Sequence, residues 1–141
     1  MKILNFIEAH NKSKCPGSYR KGVVFNKSGE ICRIFINFKT SKLDKHSEDF
    51  DTIFYAGRGK KDKDKYFIED TIDNPENLKM KQNSIPFPIY VKTKDGYFYL
   101  GHYVIDKVQK KKQYNPNLER NFETLGFTCN KIFNQDNHQE E

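Results

Sequence analysis

The sequence predicts an α+β fold: a single domain on a strongly curved or barrel-like mixed β-sheet, with one or two short flanking helices. Three observations carry this reading. The chain has 141 residues, enough for one core and too few for two ordinary domains. Hydrophobic residues reach only 35% but aromatic residues 14%, so a few large rings and Ile must fill the interior. Short runs rich in Ile, Val, Phe and Tyr recur between clusters of Gly, Asn, Asp and Pro, as expected of strands and turns.

The elements follow in order. Residues 2–10 fit a short helix with Ile3, Leu4, Phe6 and Ile7 on one side, and Pro16-Gly17 turns the loop after it. Residues 22–25 and 31–38 form a hairpin around the glycine-containing turn 26–29. In its second arm Cys32, Ile34, Ile36 and Phe38 alternate with Ile31, Arg33, Phe35 and Asn37. Both faces carry apolar groups, so this strand is expected to be central. Residues 40–51 are polar and read as a loop. Residues 52–56 form a strand that ends at Gly57-Arg58-Gly59. Four lysines repel one another across residues 60–65 and prevent a regular element there.

Asp73-Asn74-Pro75-Glu76 marks a helix start, and the helix runs over 76–83. Residues 89–92 and 97–109 are strands joined at Lys94-Asp95-Gly96, the second bending at Gly101. Residues 110–120 read as a basic loop around Asn115-Pro116, and 121–133 as a last strand with a bulge or bend at Gly126. The organisation expected is one domain over 1–133 and a polar tail over 134–141.

The formal net charge of +6 and pI near 9.1 favour a polyanionic partner, nucleic acid or an anionic membrane surface. Clustering of Lys60, Lys61, Lys63 and Lys65, and of Lys107, Lys110, Lys111 and Lys112, argues against charge spread by base composition alone. The odd set Cys15, Cys32 and Cys129, without Cys-x-x-Cys spacing, predicts no disulfide framework and a reducing, cytoplasmic setting, with Cys32 a small core residue. No signal peptide and no membrane-length apolar run is evident, so a soluble intracellular protein is expected.

Several chemistries lack their residues. His10, His46, His102 and His138 are scattered singly, no Asp-x-Lys or Glu-x-Lys tripeptide occurs, and no phosphate-binding Gly-x-x-x-x-Gly-Lys loop is present. The expectation is therefore no catalytic residue, no metal and no cofactor.

What remains is a strand ending in a cationic Gly-x-Gly loop, 53–62, then Asn77-Leu78, Ile89-Tyr90-Val91, and Tyr99-Leu100-Gly101-His102-Tyr103-Val104. This series resembles the SRA (YDG) domain of the PUA superfamily, in particular SRA-like domains of bacterial modification-dependent restriction endonucleases, over residues 20–133. Lys60 or Lys61 stands where that family's glycine loop often carries glutamine. The resemblance implies a curved sheet that grips duplex DNA and receives an extruded base, with a modified cytosine as the expected one. It further implies service to a restriction or defence system, with cleavage left to a separate nuclease subunit.

The residues supply candidates for each requirement. Tyr55 lines the pocket or packs in the core. Gly57 and Gly59 permit close approach of a phosphate or base, or form a plain turn. Arg58 contacts a phosphate or enters the vacated stack. Lys60 and Lys61 hold the backbone. Asp62 moderates the local charge or accepts from a cytosine amino group. Tyr99 and Tyr103 share a face across Gly101, as pocket wall or as core. Lys110, Lys111, Lys112 and Arg120 form a second cationic edge. Asn77 caps or braces the glycine loop, or faces solvent. An RNA-binding PUA-like module and a small nuclease with an unrecognised site are the alternative readings.

Overall fold

The computed structural model describes residues 3–15, 22–41 and 43–133. The predicted Pro16-Gly17 turn, the tail 134–141 and the side chains of Ile3, Phe6 and Ile7 lie outside the described residues. The elements are β1 (Ile3–Leu4), α1 (Phe6–Ser13), β2 (Val23–Phe25), β3 (Ile31–Ile36), β4 (Lys45–His46), β5 (Thr52–Tyr55), α2 (Pro75–Lys81), β6 (Phe87–Thr93), β7 (Gly96–Asn115) and β8 (Arg120–Lys131).

The strands form one mixed sheet in the order β2-β3-β6-β7-β8-β5-β4, with β1 pairing β7 beside this path. Among the described pairs only β3 and β6 run parallel; the others are antiparallel. The path ends at β2 and β4, so the α+β prediction holds while the sheet does not close into a barrel. No described helix is long and apolar enough to cross a membrane.

Local chemistry sets both helices. Asn5 caps α1, its side chain accepting from the Glu8 N–H while the Glu8 carboxylate accepts from the Asn5 N–H. Asn74 caps α2 by accepting from the N–H groups of Glu76 and Asn77, with Pro75 in the first turn and Lys79 and Lys81 in the last.

Two clusters are packed against the sheet. One contains Ile34, Ile36, Ile53, Tyr55, Met80, Ile89, Leu100, Tyr103 and Phe127, and α2 joins it through Met80. The other contains Leu4, Ala9, Tyr90 and Tyr97, with Phe35 and Tyr99 against it, and α1 joins it through Ala9. Adjacent residues such as Ile89 and Tyr90 enter different clusters, so the two helices cover opposite faces.

Bulges modify the simple alternation. The β2–β3 register gains a residue at Cys32, which brings Ile31 to the same cluster as Ile34. The β6–β7 register gains one at Leu100, and the β7–β8 register one at Asp106. Such insertions bend a strand and increase its twist, and two of them fall in the long β7.

Four expectations are corrected. The helix expected over 2–10 runs instead over Phe6–Ser13, with Ile3–Leu4 a short strand, and the loop expected over 40–51 contains the strand Lys45–His46. Cys15 and Cys32 are joined in a disulfide of sequence separation 17, tying the chain after α1 to β3, and Cys129 is a buried thiol. Cys32 is therefore a cross-link and not a simple core residue. Residues 110–115 are strand rather than loop: Lys110, Lys111 and Lys112 pair with Leu125, Thr124 and Glu123 of β8. Pairing satisfies their backbone groups and all three residues are exposed, so the lysine run does not prevent extension.

Candidate functional site

The glycine loop leaves β5 at Ala56 and is held from below by α2. Asn77, fully buried, accepts from the Arg58 N–H at 2.8 Å and donates to the Arg58 carbonyl at 2.8 Å and the Thr71 carbonyl at 2.9 Å. This is the bracing role open to it in the sequence. Gly57 has φ +80°, and a Cβ there would lie 2.7 Å from the Leu125 carbonyl and 2.9 Å from Asn77 Oδ1. Only glycine tolerates both conditions. Gly59 lies against Thr71 and Phe67. Arg58 is one-third exposed and its Nε pairs with Glu76 Oε1 at 2.9 Å, so an anion must compete with that carboxylate.

Residues 60–65 form no helix or strand, as expected, yet the segment is ordered by Asp62. One carboxylate oxygen accepts from the N–H groups of Asp64 and Tyr66, and the other from Asn115 Nδ2 at 3.0 Å and Asn117 Nδ2 at 3.3 Å. Partial desolvation acts to raise the Asp62 pKa, but the Tyr66 amide, Asn117, Asn115 and the Asp64 amide outweigh it and hold the carboxyl below its ordinary range. Asp62 is thus committed to tying the cationic loop to the β7–β8 turn.

The tyrosines do not meet as the even spacing predicts. Tyr55 and Tyr103 are buried in the larger cluster, whereas Tyr99 packs on Tyr90 in the other, with ring centroids 5.5 Å apart. The extra residue at Leu100 reverses the side of everything after it, so Tyr99 and Tyr103 occupy opposite faces; Gly101, at φ +136°, sits beside the insertion. The shared-face expectation is corrected on this ground. Tyr99 and His102 instead border a cavity of about 400 Å³ on the α1 side, with Tyr90, Pro86 and Pro88. The Tyr103 hydroxyl donates to the Phe50 carbonyl.

The pocket beside the glycine loop is built from Phe38, at the end of the strand expected over 31–38, and from three residues of the polar stretch 40–51. A cavity of about 510 Å³ is lined by Phe38, Asp44, Lys45 and His46. That volume lies in the range of small-molecule pockets, roughly 300–1,000 Å³. Asp44 is 7% exposed and its Oδ1 accepts from the Ala56 N–H at 2.7 Å. Burial pushes its carboxyl above the ordinary range, opposed by the Ala56 amide, Lys61, Ser41 and Lys45. Lys61 is itself half-buried and its pKa is lowered by desolvation, with Asp44 opposing. The signal available in the sequence was an isolated Asp between Leu43 and Lys45, close before a strand that ends in the glycine loop.

The remaining cations fall in different places. Lys60 is exposed at the loop. Lys110 and Lys112 alternate with Lys111 across β7, and the Lys111 ammonium lies 4.3 Å from the centre of the Phe54 ring. Arg120 is exposed, with its guanidinium 4.5 Å from the Phe122 ring centre. Among the described residues no group of three or more His, Cys, Asp or Glu could hold a metal ion.

No family model and no curated protein sequence matches the chain. Solved structures do. The modification-dependent restriction endonuclease TagI superimposes with a TM-score of 0.72 at 19% identity, over 96% of this chain and 50% of its own. The SUVH5 SRA domain bound to fully hydroxymethylated CG DNA gives 0.70 at 17% identity, over 96% of this chain and 89% of its own. The SUVH5 SRA domain with methylated CHH DNA gives 0.68 at 16% identity, over 95% and 88%. The chain therefore has an SRA-like fold. It spans half the length of TagI and most of each SUVH5 SRA chain.

Proposed function

We propose that this domain reads a modified base, a modified cytosine, in duplex DNA by taking the extruded base into the pocket of Phe38, Asp44, Lys45 and His46. The observation that carries the reading is Asp44: a buried carboxylate at an aromatic-walled cavity, bonded to the root of the glycine loop at Ala56. A carboxylate accepts from the exocyclic amino group of cytosine. Extrusion costs a few kcal/mol of pairing and stacking. Lys60, Lys61, Lys110, Lys112 and Arg120, with Arg58 if it exchanges Glu76 for a phosphate, supply sequence-independent attraction that offsets this cost. Gly57 and Gly59 let the backbone approach. Tyr55 and Tyr103 support the pocket from the core, and Lys111 contributes mainly through its packing on Phe54.

The SUVH5 SRA domains of the same fold are described in complex with methylated or hydroxymethylated DNA, and TagI is described as modification-dependent. In this reading the chain serves a restriction or defence system, and strand cleavage belongs to another chain or domain. The test compares otherwise identical duplexes carrying cytosine, 5-methylcytosine or 5-hydroxymethylcytosine at two salt concentrations, for wild type and Asp44→Asn. The expected result is a preference for one modified duplex that Asp44→Asn abolishes, with salt sensitivity unchanged. Equal binding of all three duplexes by the wild type would overturn the proposal.

A further inference from the structure

We infer that His46 is the stacking platform for the base taken into this pocket, positioned by Phe50 and, through it, by Tyr103. The inference rests on the base-pocket reading above and assigns the ring on which the base stacks.

Three observations lead there. The His46 imidazole stacks on Phe50 with centroids 4.1 Å apart and planes 15° apart, so one of its faces is already covered. Phe38 stands 4.5 Å from His46 and 6.2 Å from Phe50. With the 4.1 Å stack these distances form a nearly right-angled triangle with its corner at His46. Phe38 therefore lies against the rim of the imidazole, so neither Phe38 nor Phe50 covers its second face. His46 is exposed and lines the cavity together with Phe38 and Asp44. A flat ring entering there extends the Phe50–His46 stack by one member, with Phe38 at its side.

The support beneath this platform is conformationally costly. Phe50 is a non-glycine residue at φ +62°, a left-handed conformation that L residues rarely adopt. It is held there by two contacts: its N–H donates to the Ser47 carbonyl at 3.1 Å, and its carbonyl accepts from the fully buried Tyr103 hydroxyl. His46 is fixed from its edge as well, since Nδ1 lies 2.8 Å from the Ser47 carbonyl and must donate to it. A strained residue whose ring backs an exposed ring at a cavity marks a site where geometry is maintained for a purpose beyond packing.

The experiment measures affinity for the preferred duplex and for its unmodified counterpart with wild type, His46→Ala, His46→Phe, Tyr103→Phe and Asp44→Asn, alongside thermal midpoints. A stacked aromatic contributes 1–3 kcal/mol per base, so His46→Ala should weaken the preferred duplex between about 5-fold and 150-fold. His46→Phe should restore binding. Tyr103→Phe should reduce the preference part-way. In wild type the His46 ring-proton resonances should shift on adding the preferred duplex and not the unmodified one. If Asp44→Asn abolishes the preference while His46→Ala retains it, the platform is refuted and the pocket survives. If neither variant alters a measured preference, the pocket itself is refuted.

Discussion

Asn77 holds both main-chain groups of Arg58, accepting from its N–H and donating to its carbonyl, each at 2.8 Å. One side chain thus fixes the peptide plane on either side of the only cation in the glycine loop proper, and its remaining donor reaches Thr71. Asn77→Ala leaves three groups without that partner in a buried setting. The expected cost is on the order of 3 kcal/mol, read as a lower urea midpoint with unchanged slope.

Asp44 should make stability depend on pH in a defined direction. Burial raises its folded carboxyl above the ordinary range, so the folded state keeps this proton to higher pH than the unfolded chain. Its contribution is fully present below the unfolded value and is lost as pH rises through the folded one. Asp44→Asn removes the ionisation and keeps an oxygen for the Ala56 N–H. Urea unfolding from about pH 4 to pH 7 should therefore show the variant gaining on wild type as pH rises. A constant difference across that range would contradict the assignment.

The β7 lysines should separate by face. Lys110→Ala and Lys112→Ala should each lower the slope of log affinity against log salt by about 0.9 for every phosphate that the variant no longer neutralises. Lys111→Ala should leave the slope nearly unchanged, because its ammonium lies over Phe54 on the other side of the strand. Titrations of one duplex over a salt series decide this.

The Cys15–Cys32 cross-link closes a loop of sequence separation 17. Loops of that size lose roughly 3 kcal/mol of unfolded-state entropy on cross-linking. Reductant, or Cys15→Ser, should lower unfolding stability by about that amount. Cys129→Ser tests a different thing, since that thiol is buried in the larger cluster and takes no part in the bridge.

Much of the sheet was legible because alternation and turn residues identify strands locally. The hairpins at 26–29 and at Asp95-Gly96, the α2 start at Asn74-Pro75 and the strand ending at Gly57 all depend on near neighbours. Facing was less legible. Single added residues at Cys32, Leu100 and Asp106 reverse which side follows; Gly101 marks a bend beside Leu100, but nothing in the local pattern at Cys32 or Asp106 signals an insertion that exists only relative to a partner strand. The Lys110–Lys112 run hid a strand because its pairing partners lie on β8, across the turn. The pocket residues Asp44 and His46 sit in a stretch whose composition says loop, and Phe38 ends the strand expected before it. Their meeting with Ala56 and Phe50 is set by chain folding, not by spacing.

The bond between Asp62 and the two asparagines of the β7–β8 turn has a mechanical consequence. Two lysine-rich stretches some fifty residues apart in sequence are riveted into a single jaw. Lengthening either stretch would shift the other, so the footprint this jaw can press upon a polymer is set by the rivet as much as by the charges.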